Sequence, residues 1–337
     1  MLCIKNGRVL TDCGIKRDEL WTNEGLIIEK PEYPPENTRF YDAEDCFVLP
    51  GFIDAHTHLE MTNSITATAD DYASGTAAAL AGGTTTVIDF ATQDRGGSLN
   101  EALEAWMDRA EGKCSCDYAF HMAVTDWNNR TKAELRDMVK AGVSSFKAYM
   151  AYRDLMLGDE ALARLLSEAG ALGCVVGAHC ELGEGVERGV KNCLNEGKTG
   201  PGYHPLSRPP RVEADAVSRF LELADRSDSL PWVVHLSTST GFDEIKRFRE
   251  KGKSVLVETC PQYFSLNDEV YSLPGFEGAK YVCSPPIRSE EHRQAMESAI
   301  TNGDIDIIST DHCSYRYRGQ KDIGKMIFQG FRTDCRV

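Results

Sequence analysis

The sequence predicts an α/β fold, a (β/α)8 barrel joined to a small β-sandwich domain, on three observations. Eight short, nearly continuous apolar runs stand in series from Pro50 to Asp311. Stretches patterned as amphipathic helices lie between them. The first 48 residues differ in texture, alternating in polarity and broken by turn signals. Near-continuous apolar runs mark strands buried on both faces, as parallel sheets require. Eight such units in roughly 250 residues match a closed barrel in size. A doubly wound open sheet is the competing architecture, but no G-x-G-x-x-G turn follows the first run.

In residues 1–48 the segments LCIKNGRVL, CGIKRDELWT, GLIIEK and CFVLP read as hairpin strands of a small β unit. Asn6-Gly7 and Pro34-Pro35 supply turn signals between them. Residues 49–324 read as the barrel, with strands at GFIDAHTH, TTTVIDFA, CDYAFHMAV, SSFKAYM, CVVGAHCE, PWVVHLS, SVLVETC and IDIISTDH. Helices are predicted in stretches such as SLNEALEAWMDRA, KAELRDMVKAG and DEALARLLSEAGALG. A chain of 337 residues is long enough for a barrel plus a smaller domain.

A net charge of -15 argues against a nucleic-acid or anionic-membrane partner and favours a small neutral or metal-captured substrate. No apolar stretch approaches the ~18 residues of a membrane span. The start, MLCIKNGRVL, lacks a signal-peptide plan, so a cytoplasmic location is expected. The twelve cysteines are irregularly spaced, and the C-x-C of Cys114 and Cys116 has no partner pair. They read as reduced thiols that mostly fill the core.

The chemistry lies at the ends of the runs. Asp54-Ala55-His56-Thr57-His58 closes the first, and in an extended strand residues i and i+2 share a face. Lys147, His179, His235 and Asp311 each punctuate a later apolar run, at the barrel face where active sites form. One such polar residue could be a satisfied core group; four histidines, a lysine and an aspartate at equivalent places have no comparable structural excuse. Neutral imidazole and carboxylate are good zinc ligands. A lysine ammonium would repel a metal, but a buried lysine loses its proton readily. The neutral amine can add carbon dioxide, giving a carbamate whose two oxygens can bridge two metals. Water shared by such a pair ionises near neutral pH and attacks a carbonyl carbon. Asp311 can bind one metal and carry a proton to the leaving nitrogen.

The words PGFIDAHTHLEM, VIDFATQ, SFKAYMAY, GAHCE, VVHLSTSTG, ETCPQY, CSPPIR and STDHCS resemble those of the dihydropyrimidinase and hydantoinase family of cyclic amidohydrolases. The resemblance spans residues 1 to about 324. It implies that His56, His58, Lys147, His179, His235 and Asp311 hold two zinc ions, bridged by N6-carboxylated Lys147 and a hydroxide. It implies that Tyr152 hydrogen-bonds the developing oxyanion, and that Ser284 holds the ring amide of the substrate through its main chain. The implied reaction is hydrolytic ring opening, of 5,6-dihydropyrimidines such as dihydrouracil to N-carbamoyl-β-alanine or of 5-substituted hydantoins. The implied assembly is a homotetramer. Dihydroorotases and allantoinases are the near competitors. A dihydroorotase holds its substrate's carboxylate with an arginine after the first histidine pair, where this chain has Leu59-Glu60-Met61, which favours an uncharged ring. Non-catalytic scaffolds of the same family have lost ligands that are all present here. A structural zinc protein would use closed, cysteine-rich sites.

Residues 325–337 depart from the family. From Gly324 the chain reads GKMIFQGFRTDCRV, where relatives read close to GKDDFxxIPxGxPG. One choice of codons with an added adenine at Lys325 converts the first into GKDDFSRIPDGLPG, so a single-base frameshift is expected there. The strands of residues 1–48 would then lack C-terminal partners, and poor solubility or a catalytically dead product is expected.

Overall fold

In the computed structural model, which describes residues 1–62 and 66–322, the chain parts into two units, Met1–Phe52 and the chain from Ile53 onward. In the first, β1 (Leu2–Thr11) and β2 (Gly14–Asn23) form an antiparallel ribbon extended by β3 (Leu26–Ile28). β4 (Arg39–Asp42) and β5 (Phe47–Val48) return to the other edge of β1 and run parallel to it. The expectation of hairpins throughout therefore fails after β3, where the Pro34-Pro35 stretch forms a crossover rather than a tight reversal.

Asn6-Gly7 is not a turn either. Asn6 has φ +64°, and the β1–β2 register shifts between Ile4 and Gly7, so the pair forms a bulge inside β1. A Cβ on Gly7 would come within 2.6 Å of Val48 Cγ2, which explains the glycine. The reversal comes between Thr11 and Gly14 instead.

All eight predicted barrel strands form: β6 (Phe52–Thr57), β7 (Thr84–Thr92), β8 (Asp117–Ala123), β9 (Ser145–Tyr149), β10 (Val175–His179), β11 (Leu230–Val233), β12 (Leu256–Thr259) and β13 (Ile307–Ile308). They order as β6 through β13 in one parallel sheet. The ring shuts where β6 meets the segment after β13. His58 N donates to His312 O (2.8 Å), and buried Asp54 accepts from Thr310 N (3.0 Å) and Thr310 Oγ1 (2.5 Å). The fold is a (β/α)8 barrel with a small separate sheet. The predicted helices form at Leu99–Ala110, Asn129–Lys140 and Asp159–Gly170. The first two are capped by the side chains of Ser98 and Asn128.

The main core lies between strands and helices, around Leu135, Phe146, Leu165, Phe220 and Ile245. A second cluster, Phe90, Trp232 and Val234, fills the barrel's interior. Gly177 makes room for it, since a Cβ there would stand 2.6 Å from Trp232 Cε3. None of the described cysteines is disulfide-bonded, and Cys3, Cys174, Cys180, Cys193 and Cys260 are buried. No described helix is long and apolar enough to cross a membrane. The frameshift expected at Lys325 lies outside the described residues.

Candidate metal centre

Alternation along β6 puts Asp54, His56 and His58 on one side, directed toward the segment that follows β13. There Asp311 Oδ1 stands 3.2 Å from His56 Nε2 and 3.3 Å from His58 Nε2. These three buried residues could hold one metal ion between them. His179 ends β10 and His235 follows β11, and His179 Nδ1 lies 2.9 Å from His235 Nε2. The rings of His56 and His235 are 5.6 Å apart, so both groups belong to one centre. Lys147 lies within β9, wholly buried, with Nζ 4.9 Å from the Phe90 ring.

Ionised Glu181 sets the tautomer of His179, and Glu258, whose pKa burial pushes up to about 8, sets that of His56 once ionised. Glu258 Oε1 accepts from His56 Nδ1 at 2.7 Å, and Glu181 Oε2 accepts from His179 Nε2 at 2.9 Å. With those nitrogens protonated, His56 Nε2 and His179 Nδ1 turn lone pairs into the centre. Burial holds His56, His179 and His235 neutral by pushing their pKa values down, the form a metal needs. Burial alone would raise the Asp311 pKa, whereas any proton held by His56, His58 or His235 pulls it below the ordinary carboxylate range. Burial lowers the pKa of Lys147, against the pull of Glu258 and Asp311. Among the described residues, His235 Nδ1 and Asp311 Oδ1 are buried without a hydrogen bond. Neutral imidazoles, a carboxylate and unspent acceptors in a dry pocket fit a divalent metal.

A cleft opens beside this centre, with Tyr152, Ser284 and Asp311 in its wall. The Tyr152 ring lies 5.0 Å from that of His179 and 5.5 Å from the Arg208 guanidinium. Ser284 is buried in the loop that presents Cys283 O to His204 Nε2 at 2.9 Å. All eight predicted site residues thus gather at the C-terminal end of the barrel. Three of them, Tyr152 (φ +68°), His235 (φ +40°) and Asp311 (φ +51°), hold left-handed backbone, a conformation costing about 1–3 kcal/mol that clusters at functional sites. Glu60 pairs with Lys113 at 3.5 Å and is not among the residues lining the cleft.

Sequence reading passes over the supporting groups. Glu258 is fully buried and also accepts from His235 N at 3.2 Å, tying two ligand strands together. Arg208 Nη1 donates to Glu181 Oε2 at 2.5 Å and, against the burial that would raise it, keeps that carboxylate ionised. Asp89 fastens the start of the loop after β6, accepting from Leu59 N at 2.7 Å. The available signal was a carboxylate inside an apolar strand at Glu258, and one at i+2 from a histidine at Glu181.

Comparison with known proteins agrees with this geometry. Residues 47–332 match the model of the amidohydrolase family. A D-hydantoinase of Rhizobium radiobacter is 40% identical over 97% of this chain and 72% of its own length. One of Geobacillus stearothermophilus is 39% identical over 96% of this chain and 69% of its own. The crystal structure of a dihydropyrimidinase from Brevibacillus agri NCHU1002 superposes with a TM-score of 0.94 at 37% identity, covering 97% of this chain and 72% of that one. A shared family model, high identity over nearly all of the chain and a buried His-His-Asp cluster at the barrel mouth lead to one assignment: the chain belongs to the amidohydrolase family, among the hydantoinases and dihydropyrimidinases.

Proposed function

We propose that this protein opens cyclic amide rings by hydrolysis, acting on hydantoins and 5,6-dihydropyrimidines such as dihydrouracil. The observation that carries the reading is the convergence of four histidines, an aspartate and a buried lysine beside one cleft. His56, His58 and Asp311 would hold one zinc ion and His179 and His235 the other. The second pair has no carboxylate of its own, and N6-carboxylated Lys147 would supply the shared anion. When bound, the metal pair supplies a water ionised near neutral pH and polarises the ring carbonyl.

The chain's own groups do the rest. Asp311 accepts the proton of the attacking water and returns it to the departing ring nitrogen, which keeps the leaving group neutral. Tyr152 donates its hydroxyl proton to the oxygen that gains charge as the carbonyl becomes tetrahedral. The Ser284 main chain holds the ring amide in the cleft wall. On the same family resemblance the protein would assemble as a homotetramer, and the sequence expectation of a cytoplasmic location goes with this reading.

The test is to supply zinc and bicarbonate to the purified protein, then follow ring opening of hydantoin and dihydrouracil before and after chelation. Ring opening that disappears with the metal and returns with zinc is expected. A metal-replete, folded protein that opens neither ring sinks the proposal.

A further inference from the structure

The turn that carries Tyr152 is gripped by a cation from a different strand-end loop. We propose that Arg95 is a positioning residue for the reaction, acting through Tyr152; this rests on the oxyanion role given to Tyr152 above. Arg95 belongs to the loop after β7. Its Nε donates to Asp154 O at 3.2 Å, and its Nη2 donates to Arg153 O at 3.2 Å and Met156 O at 2.9 Å. One guanidinium therefore collects three carbonyls of a single turn.

That turn needs such a partner. Tyr152 sits at φ +68°, and its own carbonyl accepts from Leu155 N (2.9 Å) and Met156 N (2.7 Å). The chain is wound tightly there, and the next carbonyls are left outside the turn's own hydrogen bonding. A non-glycine residue keeps such backbone only when its surroundings over-determine it. The planar fork of arginine, with donors in fixed directions, suits several carbonyls at once; the compact ammonium of lysine does not.

The clamp is itself anchored. Gly97 N donates to Asp94 O (2.6 Å), and Arg130 Nη2 donates to Gly96 O. Gln93 Nε2 donates to Gly97 O (2.9 Å), while Gln93 Oε1 accepts from Thr125 N (3.0 Å) and Asp126 N (3.1 Å). The segment after β8 thus holds the Arg95 loop through Gln93, and Arg95 holds the Tyr152 turn. Freed of the clamp, the turn would let the phenol drift from the point where charge develops, and a displacement of about 1 Å is enough to cost up to ~100-fold in rate.

The experiment compares Arg95→Ala, Arg95→Lys, Tyr152→Phe and the double variant Arg95→Ala/Tyr152→Phe. It uses ring-opening kinetics and amide hydrogen exchange across residues 152–157. We expect Arg95→Ala to lower kcat about ten- to hundredfold with KM nearly unchanged, because the contact it serves strengthens only in the transition state. Arg95→Lys should recover part of the loss, and Arg95→Ala should add no further loss once Tyr152 is Phe. The amides of Leu155 and Met156 should exchange faster in Arg95→Ala. Equal fold losses from Arg95→Ala in both backgrounds, or unchanged exchange, overturn the proposal. A fully active Tyr152→Phe overturns the role of Tyr152 instead. Faster exchange with an unchanged kcat would show a clamp that does not serve the reaction, which also refutes the positioning role.

Discussion

Glu258→Gln isolates what one buried carboxylate does for a centre that it does not itself ligate. Oε1 of Glu258 takes the Nδ1 proton of His56 at 2.7 Å and the main-chain proton of His235 at 3.2 Å. Both ligand strands therefore lean on one acceptor with no solvent exposure. Burial pushes the Glu258 pKa up to about 8, so above that pH glutamine keeps the shape and one acceptor oxygen but turns a charge-assisted hydrogen bond into a neutral one. The first kind is worth about 1.5–3 kcal/mol and the second about 0.5–1.5 kcal/mol, so roughly 1–1.5 kcal/mol is lost. That corresponds to about tenfold weaker metal binding, and the general range for outer-shell partners reaches 100-fold. Alanine is the wrong probe, because it strands two buried donors at about 1–3 kcal/mol each and threatens the fold. The assay is metal content after equilibration against graded chelator, measured by elemental mass spectrometry, with melting temperature as the control for folding. Parent-like metal retention in a Glu258→Gln protein that melts normally would refute the argument.

Two further outcomes are expected. Lys147→Ala should abolish ring opening and most bound zinc, and carbon-13 bicarbonate should give a carbamate resonance in the parent but not in the variant; full zinc occupancy in Lys147→Ala refutes the bridging role. Acid should destabilise the metal-depleted protein well above the ordinary carboxylate range. Burial holds His121 and His204 down at about 3, so below the ordinary value of about 6.5 the unfolded chain takes up protons that the folded chain refuses. Their contribution is complete above about pH 6.5 and falls toward pH 3 by up to ~1.4 kcal/mol per pH unit for each histidine. Asp89 and Glu258, pushed up by burial to about 6 and about 8, oppose this with one proton each, but His56, His179 and His235, also held down by burial, reinforce it, so the net sign below about pH 6 is unchanged. Denaturant midpoints measured from about pH 8 to 5 check it, and a flat profile would contradict it.

What the sequence makes legible here is whatever has a period or a side-chain type. Strands buried on both faces read as apolar runs, and all eight form where expected. Histidines, a lysine and an aspartate that interrupt such runs read as chemistry, and the histidines and the aspartate converge. The ring's closure is hardly legible, because β13 spans only Ile307–Ile308 and the joint is made by Asp54 and Thr310, neither of which breaks a pattern. Asn6-Gly7 misleads for a sharper reason. An Asn-Gly pair signals positive φ, which a bulge and a hairpin turn both use, and only the neighbours Ala43 and Val48 decide between them.

Arg95 is invisible for yet another reason: its partners are carbonyls, which every residue carries and no side chain announces. The left-handed backbone at Tyr152, His235 and Asp311 belongs to the same class. None of these residues prefers that conformation, so each is held there by contacts made elsewhere in the barrel. Glu258 stands between the two kinds. Its presence in an apolar strand is a sequence signal, but the direction of its bond to His56 is not. Residue type at the centre is thus written locally, whereas orientation is a property of the closed ring, because the group that aims His56 comes from a strand distant in the chain.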